Sequence, residues 1–94
     1  MTKYEIQFTS AYKKSRKKMK KRGLDLTLLD EVVLKLANGV ELDKKYRDHE
    51  LLGSFKGFRE CHIKPDWLLI YLLKEEVLVL TLVDTGTHSE LFNM

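Results

Sequence analysis

Two apolar runs, WLLIYLL (residues 67–73) and EVLVLTLVD (residues 76–84), lie almost back to back, joined across the acidic pair Glu75-Glu76. They set the strongest limit on how this chain folds. Each is rich in branched and aromatic side chains and has the length of a strand, too short for a membrane-spanning helix. A turn this short makes the two runs antiparallel neighbours. The unbroken apolar character of the first predicts a central strand, so helices or loops elsewhere in the chain have to cover the sheet.

The coverage is predicted upstream. KYEIQF (residues 3–8) alternates as a half-buried strand does, and Thr9 or Ser10 then offers a helix cap. A helix over about residues 10–22 places Tyr12, Ser15 and Met19 on one narrow stripe and surrounds it with cations, until Gly23 stops it. From Asp25, Leu28, Leu29, Val32, Val33 and Leu36 recur at helical spacing, and Asn38-Gly39 closes the helix. Residues 40–57 show no sustained period and read as an extended loop carrying Lys45, Arg47, His49 and Lys56. FRECHI (58–63) reads as a strand with Phe58, Glu60 and His62 on one face and Arg59, Cys61 and Ile63 on the other. Lys64-Pro65-Asp66 turns it into the first apolar run. The expected architecture is therefore β-α-α-β-β-β, a single α+β domain over residues 1–94, with both helices on one face of a small, mostly antiparallel sheet and a short helical or irregular tail.

Charge separates this domain into two parts. Residues 1–22 carry nine Lys or Arg against one acid, while residues 23–94 carry eight against thirteen, so the basic character belongs to one helix. Such a face suits RNA phosphates or an acidic partner; a merely solubilising face is the other reading. The N-terminus has no signal-peptide pattern, and the single cysteine, Cys61, excludes an internal disulfide. Both agree with a cytoplasmic location.

The three histidines, His49, His62 and His88, fall in the loop, on a strand beside Glu60, and just past the last strand. Imidazoles titrate near neutrality, so a pair can supply base and acid in one turnover. RNA suits this chemistry because its own 2′-OH is the nucleophile. Lys45, Arg47 and Lys56 could bind its phosphates, and Tyr46, Phe55, Trp67 or Phe92 could stack on its bases, although core packing is the usual fate of a Trp at the head of an apolar strand. Structural histidines remain an alternative. Zinc held by the histidines with Cys61 is disfavoured because adjacent strand residues point to opposite faces, which also separates Cys61 from His62 as a nucleophilic pair.

DHELLGSFKGFRECHIKPDWLLIYLL (48–73), followed by TGTHSELF (85–92), closely resembles the YafQ branch of the RelE-type bacterial toxins. That resemblance implies a RelE-like α+β fold and a ribosome-dependent mRNA endonuclease that cuts the codon in the aminoacyl-tRNA site without a cofactor. It also implies inhibition by a cognate antitoxin of the DinJ/RelB type. By motif, His88 would be the general acid for the leaving 5′-oxygen. His49 and His62, with Asp66, would be base and electrostatic partners, Glu60 would replace a frequent Asp, and Phe92 would help place the nucleotide. Many relatives have Arg immediately before the T-G-T/S-H motif; this chain has Asp84. The departure keeps open an alternative, a weakly catalytic or inactive module that binds RNA or the ribosome.

Overall fold

The computed structural model describes residues 2–92. Strand β1 (Glu5–Phe8) leads into helices α1 (Ser10–Lys21) and α2 (Leu26–Ala37). A single 3₁₀ turn at Lys44–Tyr46 precedes strand β2 (His49–Glu50), and a second such turn spans Gly53–Phe55. Strands β3 (Arg59–Lys64), β4 (Trp67–Lys74) and β5 (Val79–Gly86) follow, and a short helix α3 (His88–Phe92) ends the described chain. The sheet order is β1-β5-β4-β3-β2. Only the β1–β5 pairing is parallel; the other three are antiparallel.

The expected α+β class, the helix pair and the central position of the first apolar run are all present. One element differs: within the loop expected over 40–57, His49 pairs with Glu60 and Glu50 with Arg59, adding a fifth strand at the sheet edge. Two residues cannot display an alternation, so pattern reading had nothing to detect.

Local chemistry explains the helices. The Thr9 side chain accepts from the Tyr12 amide at 3.0 Å, capping α1, and its hydroxyl donates to the Val83 carbonyl at 2.6 Å, which stitches that cap to β5. At the other end Gly23, at φ +82°, adopts the left-handed conformation that lets Leu24 N–H reach the Met19 carbonyl. Asp25 caps α2 by accepting from the Thr27 amide and hydroxyl.

Tyr12 and Met19 are the buried residues of α1, matching the narrow stripe, while α2 buries Leu29, Val32, Val33, Leu36 and Ala37. They pack on Cys61, Leu69, Tyr71, Leu80 and Leu82 of the sheet. Burying Met19 contributes roughly 1.5–3 kcal/mol, and with the buried Tyr12 ring it keeps α1 docked despite its cations. No helix among the described residues is long and apolar enough to cross a membrane.

Register in the last strand shifts midway. Ile70 pairs with Asp84 but Tyr71 with Leu82, leaving Val83 as the extra residue of a bulge. The bulge changes which residues face the core: Leu80 and Leu82 do before it, Thr85 after it. Thr85 thus lies under Trp67 and accepts from its indole N–H at 3.0 Å.

Candidate active site on the sheet face

The sheet register assembles the site. His49 on β2 stands directly opposite Glu60 on β3, and His62 lies two residues beyond Glu60 on the same face. Across the next two pairings His62 meets Leu68, and Leu68 meets Gly86, so the chain leaving β5 brings His88 back over the same face. The ring centroids of His49 and His62 are 6.5 Å apart and those of His62 and His88 5.8 Å.

Glu60 is the hub. It is buried, and its Oε1 lies 3.6 Å from His49 Nε2 and 3.5 Å from His62 Nε2. The other nitrogen of each ring faces a backbone carbonyl: His49 Nδ1 is 2.7 Å from Arg47 O and His62 Nδ1 is 3.2 Å from Pro65 O. A carbonyl only accepts, so both Nδ1 atoms carry hydrogen. In the neutral rings Nε2 is then the basic atom, and both Nε2 atoms point into the site.

Asp66 does two jobs for His88. Its Oδ1 accepts from the His88 amide at 3.3 Å, at the start of α3, and lies 3.5 Å from His88 Nδ1, leaving Nε2 free. Glu90 holds the same helix from behind. It takes a bidentate pair of hydrogen bonds from Arg22 at 2.7 and 2.8 Å, with Lys18 at 3.7 Å, and also accepts from the Thr87 amide. The Arg22 guanidinium, followed by the Thr87 contacts, lowers the Glu90 carboxyl from its ordinary value to about 2. The basic helix is therefore tied to the element that carries His88.

The aromatic candidates divide. Phe92 lies 6.1 Å from His88 and meets Phe55 edge-on at 5.3 Å, forming an apolar wall beside the imidazole. Trp67 is a correction. Proposed as a stacking residue, it is 3% exposed, packs in the core and spends its N–H on Thr85, so no base can reach its ring. Lys45, Arg47 and Lys56 are exposed on the loops flanking the histidines.

Cys61 is fully buried within the core that faces the helices, apart from Glu60 and His62, as strand alternation required. Burial pushes its thiol up to about 12, so it is no nucleophile. Arg59 also turns away from the histidines, bonding Asp48 and the Tyr71 hydroxyl, which itself donates to Asp48 at 2.5 Å. Sequence reasoning missed Asp48, Glu90 and Arg22; the last two are partners 68 positions apart, and no local pattern links them. Asp84 accepts from the Ser15 hydroxyl at 2.5 Å and from the Thr85 amide, so its carboxylate anchors α1 to β5.

The model of the bacterial toxin of type II toxin–antitoxin systems, YafQ, matches residues 4–93 of this sequence. The chain belongs to the YafQ toxin family. It is 39% identical to the mRNA interferase toxin YafQ of Escherichia coli K12 over 93 residues, covering 98% of this chain and 99% of that one. Its fold matches YafQ in the crystal structure of the E. coli DinJ-YafQ toxin-antitoxin complex with a TM-score of 0.88 at 38% identity, covering 96% and 98% of the two chains. A metal-bound toxin from Helicobacter pylori matches at TM-score 0.89 and 47% identity, covering 98% and 100%. As a YafQ-family toxin, the chain carries its imidazoles on a scaffold that its relatives share almost end to end.

Proposed function

We propose that this toxin is an endoribonuclease that cuts mRNA in the aminoacyl-tRNA site of the 70S ribosome and so arrests translation. The observation that carries the reading is the gathering of three imidazoles around one buried carboxylate, on a fold whose curated relatives are mRNA interferases. His49 and His62 present basic Nε2 atoms to a ribose 2′-OH. Glu60, between them, stabilises whichever ring takes the proton. His88, steadied by Asp66, protonates the departing 5′-oxygen, and the Phe92 ring stands where a base would lie. RNA supplies its own nucleophile, so these groups complete an acid–base cycle without a cofactor. Lys45, Arg47 and Lys56 would hold phosphates of the mRNA, and the α1 cations those of ribosomal RNA.

The antitoxin is the second partner. A groove of about 500 Å³ between β1, β5, α1 and α2 has an apolar floor of Ile6, Tyr12 and Leu82 and a rim of Lys13 and Lys17 beside Arg16, which is paired with Asp30 at 2.7 Å. Its chemistry suits an acidic amphipathic segment, and the DinJ complex of the E. coli relative supports such a partner.

Purified protein added to translating ribosomes, with mRNA 5′ ends mapped, tests the enzyme. The His88→Ala variant should cut about a hundred- to ten-thousand-fold more slowly, the range for loss of a general acid. Equal cutting by both proteins would remove His88 from the mechanism.

A second reading concerns metal. One carboxylate oxygen of Glu60 and one ring nitrogen each from His62 and His88 lie within 4.8 Å of one another, and the H. pylori relatives include metal-bound and copper-bound structures. Imidazole and carboxylate donors at this spacing fit Cu²⁺ or Zn²⁺. A bound ion would occupy the nitrogens that acid–base chemistry uses, so cutting should fall as copper is added and recover with a chelator.

A further inference from the structure

His49 owes little of its place to the backbone ladder. Strand β2 makes only two residue pairs with β3, and Arg47, just before it, sits at φ +50°, a left-handed conformation that few residues other than glycine adopt. Such a backbone persists only where its surroundings over-determine it. Asp48, between the two, is bonded in a way that does so. Two residues before Glu50, the partner of Arg59, its side chain reaches the face opposite His49. There its Oδ1 accepts from the Tyr71 hydroxyl at 2.5 Å and from Arg59 Nε at 3.4 Å, and its Oδ2 accepts from Arg59 Nη2 at 3.2 Å. Arg59 and Tyr71 are themselves paired across β3 and β4, and Tyr71 is 1% exposed. Burial, followed by the bond to Asp48, raises the Tyr71 hydroxyl above its ordinary value, so it stays a donor.

We propose that Asp48 is the positioning residue for His49, tying the edge segment that carries this imidazole to the inner strands β3 and β4. The proposal rests on the endonuclease reading above, in which His49 serves the ribose 2′-OH. A carboxylate only accepts, and here it takes donors from two strands, so its place is set from two directions. Tyr71 belongs to the packed core, and a side chain locked by packing is the kind of support that keeps a reacting group in its geometry. On the other face, the same short segment sets His49 Nδ1 at 2.7 Å from the Arg47 carbonyl and Nε2 at 3.6 Å from Glu60. Sliding residues 47–50 along the edge would upset the ring and its carboxylate partner together. Asp48 meets no RNA in this scheme. It acts through His49, and displacing a catalytic group by about 1 Å costs on the order of a hundredfold in rate.

Single-turnover cutting of translating mRNA tests the assignment, with each substitution made alone and together with His49→Ala. Asp48→Ala should cut about ten- to a hundredfold more slowly with ribosome binding unchanged. Asp48→Asn, whose amide oxygen still accepts, should recover part of the rate. Tyr71→Phe, which keeps the buried ring and deletes only the hydroxyl, should slow cutting in the same direction, and it carries the test if Asp48→Ala does not fold. Against the residual cutting of His49→Ala, the same substitutions should cost less than about twofold, because residues that act as a unit are not additive. An equal cost with and without His49 would overturn the proposal, since a general loss of structure slows both proteins alike. Separately, in the free protein, amide exchange at residues 49 and 50 should quicken and the His49 ring resonances should move in Asp48→Ala and in Tyr71→Phe, while the amides of β5 keep their wild-type exchange. His49 signals that stay unchanged would also overturn it. If the wild type does not cut at all, the endonuclease reading fails on its own, and these spectra still decide whether Asp48 places His49.

Discussion

Replacing Thr85 by Val probes how the buried layer beneath the site is held. Thr85 is 1% exposed; its Oγ1 accepts from Trp67 Nε1 at 3.0 Å and donates to Leu68 O at 2.6 Å. Valine keeps the shape and removes both bonds. Leaving the indole N–H buried without a partner costs about 1–3 kcal/mol, the lost bond to Leu68 adds about 0.5–1.5 kcal/mol, and the extra buried methyl returns roughly 0.8 kcal/mol. The net expectation is a loss of about 2 kcal/mol, close to thirty-fold in the folded-to-unfolded ratio. For a domain of this size that lowers Tm by roughly 8–16 °C. Urea unfolding followed by far-ultraviolet circular dichroism, a probe that survives replacement of Trp67, the sole Trp of the sequence, measures the free energy directly. Pairing Thr85→Val with Trp67→Phe closes a double-mutant cycle, in which Thr85→Val should cost much less once the indole N–H is gone. A Thr85→Val protein within about 0.5 kcal/mol of wild type, the size of an ordinary surface substitution, would refute the reasoning.

Glu90→Gln should lower thermal stability at pH 6. Because the native carboxyl is held at about 2, below its ordinary value, that stabilisation is complete above roughly pH 4.5 and fades as pH falls toward 2. The gap between wild type and variant should therefore shrink on acidification; a constant gap would contradict the Arg22 link. Cys61, with its thiol raised to about 12 by burial, should resist a colourimetric thiol reagent at pH 8 until denaturant opens the core. Asp84→Arg removes the acceptor for Ser15 and for the Thr85 amide, and should cost roughly 1 kcal/mol per bond in chemical denaturation. If the missing Arg limits catalysis, the same variant should cut translating mRNA about thirty- to a thousand-fold faster; unchanged cutting would show that Asp84 does not limit the reaction.

Elements with a sustained period were legible from sequence. The α2 repeat and the apolar runs of β4 and β5 each extend over enough residues for burial to impose a pattern, and alternation along β3 correctly separated Cys61 from Glu60 and His62. Pattern reading failed where geometry is made by single events. Strand β2 has only two residues, and the bulge at Val83 shifts the facing of the residues that follow it, which made the role of Thr85 invisible. Trp67 misled because an aromatic residue beside a site motif reads equally well as a stacking platform or as core. The contacts that pin His88, through Asp66 and through Arg22 with Glu90, join positions 22 to 68 residues apart and leave no trace in local spacing.

His49 is held by the smallest piece of the sheet, two residue pairs at an outer edge followed by one further bond from Leu51 N–H to Phe58 O. Glu60, one strand further in, is paired on both sides, with His49 and with Ile70, and His62 is paired with Leu68 of the central strand β4. Backbone openings follow this gradient, since amides at a short edge open at low free energy and those of inner strands only when the core gives way. Hydrogen exchange should therefore run fast at 49 and 50 and slowly along β4. The cluster can lose one of its three imidazoles, and regain it, while the rest of the molecule remains folded.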